Sequence, residues 1–83
     1  METTDIKNLI EDGIANSEAI VTGDAGKYEA TVISPEFEGL SMLKEHQLVY
    51  KTVNAQIASG ELHALTIRAY TPEEWEQIKS STT

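Results

Sequence analysis

The chain has 83 residues, 40% of them apolar, which is enough for one small domain and too few for two. It has no cysteine, which excludes a disulfide framework, a cysteine nucleophile and any thiolate metal site made by this chain alone. Fourteen Asp and Glu against six Lys and Arg leave a formal charge of −8, which works against binding a phosphate backbone.

The charge is unevenly spread. Residues 40–60 carry only Lys44, Glu45 and Lys51, so that segment is slightly basic and the rest more acidic than the total suggests. The longest apolar runs, such as Ala19-Ile20-Val21, are three residues. A membrane span needs about 20 and a signal h-region about 7 to 15, so a cytoplasmic domain without a membrane partner is expected. It should occupy residues 1–83 as one unit, ordered over about residues 3–79.

In chain order, residues 3–15 place Ile6, Leu9, Ile10 and Ile14 at helical spacing. Thr3 or Thr4 is the expected N-cap, and Gly13 weakens the end. Residues 18–23 and 27–33 read as strands joined at Gly23-Asp24-Ala25-Gly26, with Tyr28, Ala30 and Val32 on one face. Ser34-Pro35 breaks the second strand, since proline has no N–H for the ladder. A second helix follows over residues 41–58, ended by Ser59-Gly60. Its spacing groups Met42, Leu43, Val49, Tyr50, Val53 and Ile57 on one face, with Lys44 and Lys51 opposite. Residues 62–70 form a third strand, with Leu65, Ile67 and Ala69 in phase with His63. Thr71-Pro72-Glu73-Glu74 then spells a capped helix start, with Thr as N-cap, Pro at N1 and Glu at N3. A short helix carries Trp75 and Ile78, and residues 80–83 should fray.

The order α-β-β-α-β-α is that of an α+β fold: a three-stranded mixed sheet with helices on one face. The handedness of strand–helix–strand crossovers sets the third strand parallel to the second. The expected core is Ile6, Leu9, Ile10, Val32, Val49, Val53, Ile57, Leu65 and Ile67.

No spacing marks a catalytic triad, a glycine-rich phosphate loop, an HExxH site or an EF-hand. No enzymatic activity is expected. His46 sits among the apolar positions of the second helix and reads first as a semi-buried structural histidine, with a contact at the rim of a groove as its functional reading. His63 opens the third strand after the Gly60-Glu61 turn, where an imidazole can reach solvent either as a strand-end side chain or as a ligand.

The run Leu62-His63-Ala64-Leu65-Thr66-Ile67-Arg68-Ala69-Tyr70, followed by Thr71-Pro72-Glu73-Glu74-Trp75, resembles the C-terminal hallmark of the BolA family. The upstream stretch Phe37-Glu38-Gly39-Leu40-Ser41, with Lys44, His46 and Tyr50, is similar to the segment preceding it there. The likeness covers nearly the whole chain and is strongest to the acid-stress-induced, IbaG-like branch. It implies a fold similar to class II KH domains and a role beside a monothiol glutaredoxin, sharing a 2Fe–2S cluster bound also by glutathione. The family's histidine ligand corresponds to His63. An imidazole is a competent iron ligand, and a chain without cysteine must borrow its thiolates.

One position departs from the family pattern. Where relatives usually place a second His or Cys ligand, between the first two strands, this chain has Lys27. A protonated amine is a poor iron ligand, and the carboxylate of nearby Asp24 is only a weak candidate. The resemblance also carries a rival reading, a DNA-binding stress regulator using the KH-like fold. A KH clamp needs a GxxG loop. Here the matching connector is Pro35-Glu36-Phe37-Glu38-Gly39, acidic and with one glycine, leaving Lys44, His46 and Lys51 as the contacts available to nucleic acid or a protein partner.

Overall fold

The computed structural model describes residues 1–81. It contains α1 (Thr3–Gly13), β1 (Glu18–Asp24), β2 (Lys27–Ile33), a 3-10 turn (Pro35–Phe37), α2 (Met42–Ser59), β3 (Ala64–Tyr70) and α3 (Pro72–Ser81). The sheet order is β1-β2-β3, antiparallel between β1 and β2 and parallel between β2 and β3. The predicted α+β order and the parallel crossover are therefore both present.

Strand alternation decides which sheet face is covered. Ala19, Tyr28, Ala30, Val32, Leu65 and Ile67 are buried together with Ile6, Ile10 and Ile14 of the α1 segment and Val49 and Val53 of α2. Thr22, Lys27, Thr66 and Arg68 alternate to the other face and are exposed. There Arg68 pairs with Glu29 across the β2–β3 ladder. A second tie joins α1 to β1: Glu11 accepts from Lys7 Nζ at 2.6 Å and from the Ala19 N–H at 3.0 Å.

Several expectations need correction. The N-cap of α1 is Glu2, whose N–H donates to the Asp5 carboxylate at 2.8 Å, and the helix stops at Gly13. Leu62 is not part of β3; it is a buried anchor, 1% exposed, whose N–H reaches the Gln56 carbonyl. Helix α3 extends to Ser81, and of the segment expected to fray, residues 82–83 lie outside the described residues.

The largest correction concerns α2. Met42, Leu43, Tyr50 and Ile57 are exposed, Ile57 by 40%, so Ile57 is not a core residue. Val49 and Val53 are buried, flanked by half-buried Leu48, Thr52 and Gln56. The inward stripe thus keeps Val49 and Val53 but is turned toward the Leu48, Thr52 and Gln56 side of the apolar stripe read in the sequence. The cause is a close helix–helix approach. A Cβ built on Gly13 would lie 2.6 Å from Thr52 Cγ2, so the glycine lets polar Thr52 pack against α1. Leu9 of the expected core is half-buried.

The capping box of α3 forms as read: the Thr71 N–H donates to Glu74 Oε1 at 2.8 Å, and the Glu74 N–H to Thr71 Oγ1 at 3.2 Å. Thr71→Ala should cost about 1 kcal/mol of stability, seen as a lower chemical-denaturation midpoint. A midpoint unchanged by that substitution would show that α3 does not unfold with the rest of the domain.

Candidate functional site

The site is built around a two-residue hairpin turn and the residue that enters β3. Asp24 faces Lys27 in the β1–β2 register, so Ala25 and Gly26 are the turn residues. Both have positive φ, 53° and 81°, as a type I′ turn requires. Just before Asp24, Gly23 has φ 121°, and a Cβ there would strike the Lys27 carbonyl and Tyr28.

On the other side, α2 ends at Gly60 in the left-handed conformation (φ 84°), and buried Leu62 fixes the returning chain. The next two residues dock on the turn. The His63 and Ala64 N–H groups both donate to the Gly26 carbonyl, at 2.8 and 3.0 Å. The parallel ladder then starts with Lys27 opposite Ala64.

His63 therefore has a fixed backbone and an exposed side chain. Its ring lies along Gly26, with the Cδ2 edge nearest. Among the described residues no protein hydrogen bond engages either ring nitrogen, which leaves both for an external group. Asp24 and Lys27 are exposed, and neither forms an ion pair among the described residues. Strand alternation places Lys27 with Thr22 and Thr66 on the open sheet face, whereas His63 precedes β3, outside the strand in which it was expected. The contact between His63 and the turn runs through Gly26. In the sequence Gly26 reads only as part of the Gly23-Asp24-Ala25-Gly26 turn, and a glycine at the second position of a two-residue turn is its readable signal.

The other sequence candidates fall elsewhere. His46 is half-buried in a groove of about 230 Å3 beside Met42, Glu45 and β3 residues 67–70. At about 3.3 Å per residue it stands at the far end of β3 from His63, so the two histidines do not form one site. Lys44 and Lys51 are exposed, two turns apart on α2, and share a shallow groove with Leu40, Gln47 and Leu48. On the neighbouring surface Glu38, Glu45, Glu73 and Glu74 line a cleft with Phe37 and Thr71.

Burial, then the negative charge of Glu74, raises the pKa of Glu45, while His46 opposes the shift. A raised folded-state pKa favours folding below the unfolded carboxylate range and loses that contribution as pH rises through the folded-state value. Glu45→Gln should therefore stabilise the domain at neutral pH, within about 1 kcal/mol, with the gain vanishing in acid. Thermal melts across pH test this; a gain that persists in acid would point to a cause other than charge. Glu11 has the opposite sign. Its hydrogen bonds to Lys7 and the Ala19 N–H lower its pKa, so its contribution is lost as pH falls through the folded-state value.

No group of three or more His, Cys, Asp or Glu among the described residues could hold a metal ion. No helix among them is long and apolar enough to cross a membrane.

Compared with known protein families, residues 7–74 match the model of the BolA-like proteins. The chain belongs to the BolA-like family. It is 33% identical over 75 residues to the acid stress protein IbaG of Escherichia coli, covering 90% of this chain and 89% of IbaG. Among solved BolA structures, a homologue from Coxiella burnetii superimposes with a TM-score of 0.84 at 42% identity, covering 92% of this chain and 97% of that one. Yeast Fra2 superimposes with a TM-score of 0.72 at 30% identity, covering 94% and 87%. The BolA-like match spans the hairpin, His63 and the Thr71–Glu74 cap, so all the residues that carried the sequence resemblance except Trp75 lie inside it.

Proposed function

We propose that this BolA-like protein is a non-enzymatic adaptor in iron–sulfur cluster assembly or trafficking, or in iron-linked stress regulation, acting beside a monothiol glutaredoxin. The observation that carries the reading is His63, an exposed imidazole with no protein partner at either nitrogen among the described residues; the sequence resemblance matches it to the family's histidine ligand. The donor set supports one end of a shared cluster and not a cluster held by this chain alone. It offers one imidazole, with no thiolate, an amine at Lys27 and a carboxylate at Asp24 as the weakest match. The remaining ligands would come from the glutaredoxin and glutathione. An imidazole in place of a thiolate raises the potential of such a cluster and favours its release or reduction.

A second reading, DNA binding, draws on Lys44 and Lys51, which have no ion-pair partner among the described residues and share one groove. The acidic cleft of Glu38, Glu45, Glu73 and Glu74 on the neighbouring surface and the net charge of −8 weigh against it.

Size exclusion of the protein mixed with cluster-loaded monothiol glutaredoxin separates the two. Co-elution with the cluster's colour is expected. Absence of a complex, together with sequence-selective DNA retention at physiological salt, would reverse the order.

A further inference from the structure

We infer that Gly26 is a positioning residue for His63, holding the imidazole at the hairpin by what it accepts and by the side chain it lacks. The functional meaning of this seat rests on the reading of His63 as a ligand; the seat itself does not. Two independent contacts define it. The Gly26 carbonyl accepts the N–H groups of both His63 and Ala64, at 2.8 and 3.0 Å, which fixes the backbone on either side of the ring-bearing Cα. The ring then occupies the space of the missing side chain. A Cβ built on Gly26 would overlap His63 Cδ2 and lie 3.2 Å from Cγ and 3.3 Å from Nε2.

The three nearest ring atoms all belong to the Cδ2 edge, so the Nδ1–Cε1 edge is turned away from the hairpin. A side chain on residue 26 would push the ring out of this orientation. The turn conformation alone already favours glycine at φ 81°, so the seat must be separated from ordinary turn strain.

A double-mutant cycle on the free domain makes that separation. Gly26→Ala places an L-residue at positive φ, and that strain alone should lower the melting temperature by roughly 5 to 10 °C. With His63 present the drop should be larger by several degrees; in the His63→Ala background only the strain should remain. Gly26→Asn, whose side chain tolerates positive φ, should still show the excess drop. The spectroscopic readout is a nuclear Overhauser contact between His63 Hδ2 and the Gly26 Hα protons, present in the wild type and lost in both residue-26 variants. Ala25→Gly, which changes the turn without filling the seat, should keep the residue 26–63 contact. Equal melting shifts with and without His63, or a ring contact that survives Gly26→Asn, would overturn the assignment. Neither measurement involves a cluster, so these results stand or fall separately from the ligand reading.

Discussion

Replacing Val53 by Asp should unfold the protein at room temperature. Val53 is fully buried on α2 against the α1 helix and the covered sheet face. A carboxylate there would have no partner, and an uncompensated buried charge costs about 3–5 kcal/mol on top of the lost apolar contacts. That is comparable to the whole stability of a domain this size, roughly 0.05–0.15 kcal/mol per residue. Ile57→Asp is the decisive companion. Ile57 belongs to the apolar stripe of the sequence but is 40% exposed, so the same substitution should change stability by less than about 1 kcal/mol. Circular-dichroism melts of both variants test the rotation of α2 directly. Unfolding of Ile57→Asp as well as Val53→Asp would restore the sequence-derived face, which buries both.

His63→Ala should remove the histidine signature of the glutaredoxin-bound cluster and leave the free fold intact. The side chain is exposed and its ring makes no protein hydrogen bond among the described residues, so the melting temperature should change little. The effect on the complex should be large, because Lys27 and Asp24 offer no equivalent donor. In the wild-type complex, acidification should weaken ligation, since a proton and the metal compete for the same ring nitrogen. That pH dependence should disappear with His63. A variant complex with an unchanged visible spectrum and pH profile would return His63 to a structural role.

Most of this fold is legible from local chemistry. The strand Lys27–Ile33, the Thr71 cap and the Gly60 stop each follow from residues within one or two turns. What the sequence does not reveal depends on tertiary neighbours. Phe37 lies in a short connector and still fills the core at 1% exposure, because Ser34 ties that connector down. Ser34 donates to the Ala15 carbonyl and accepts the Glu36 N–H, a polar side chain buried at a chain crossing that no periodicity signals. Helix α2 has apolar residues on more than one side, and only the α1 contact at Gly13 and Thr52 selects the buried one. The site divides the same way. His63 stands out through its motif, but its seat on Gly26 joins residues 37 positions apart and appears only when β2 and β3 pair.

The central claim is that His63 of this chain ligates a cluster shared with a monothiol glutaredoxin, and hyperfine spectroscopy of the reduced complex tests it most directly. The protein would carry 15N-labelled histidine, while the glutaredoxin and glutathione remain unlabelled. A strongly coupled 15N signal that vanishes in His63→Ala and persists in His46→Ala is the predicted result. A nitrogen coupling indifferent to the label, or no strong nitrogen coupling in a complex that holds the cluster, would contradict the assignment.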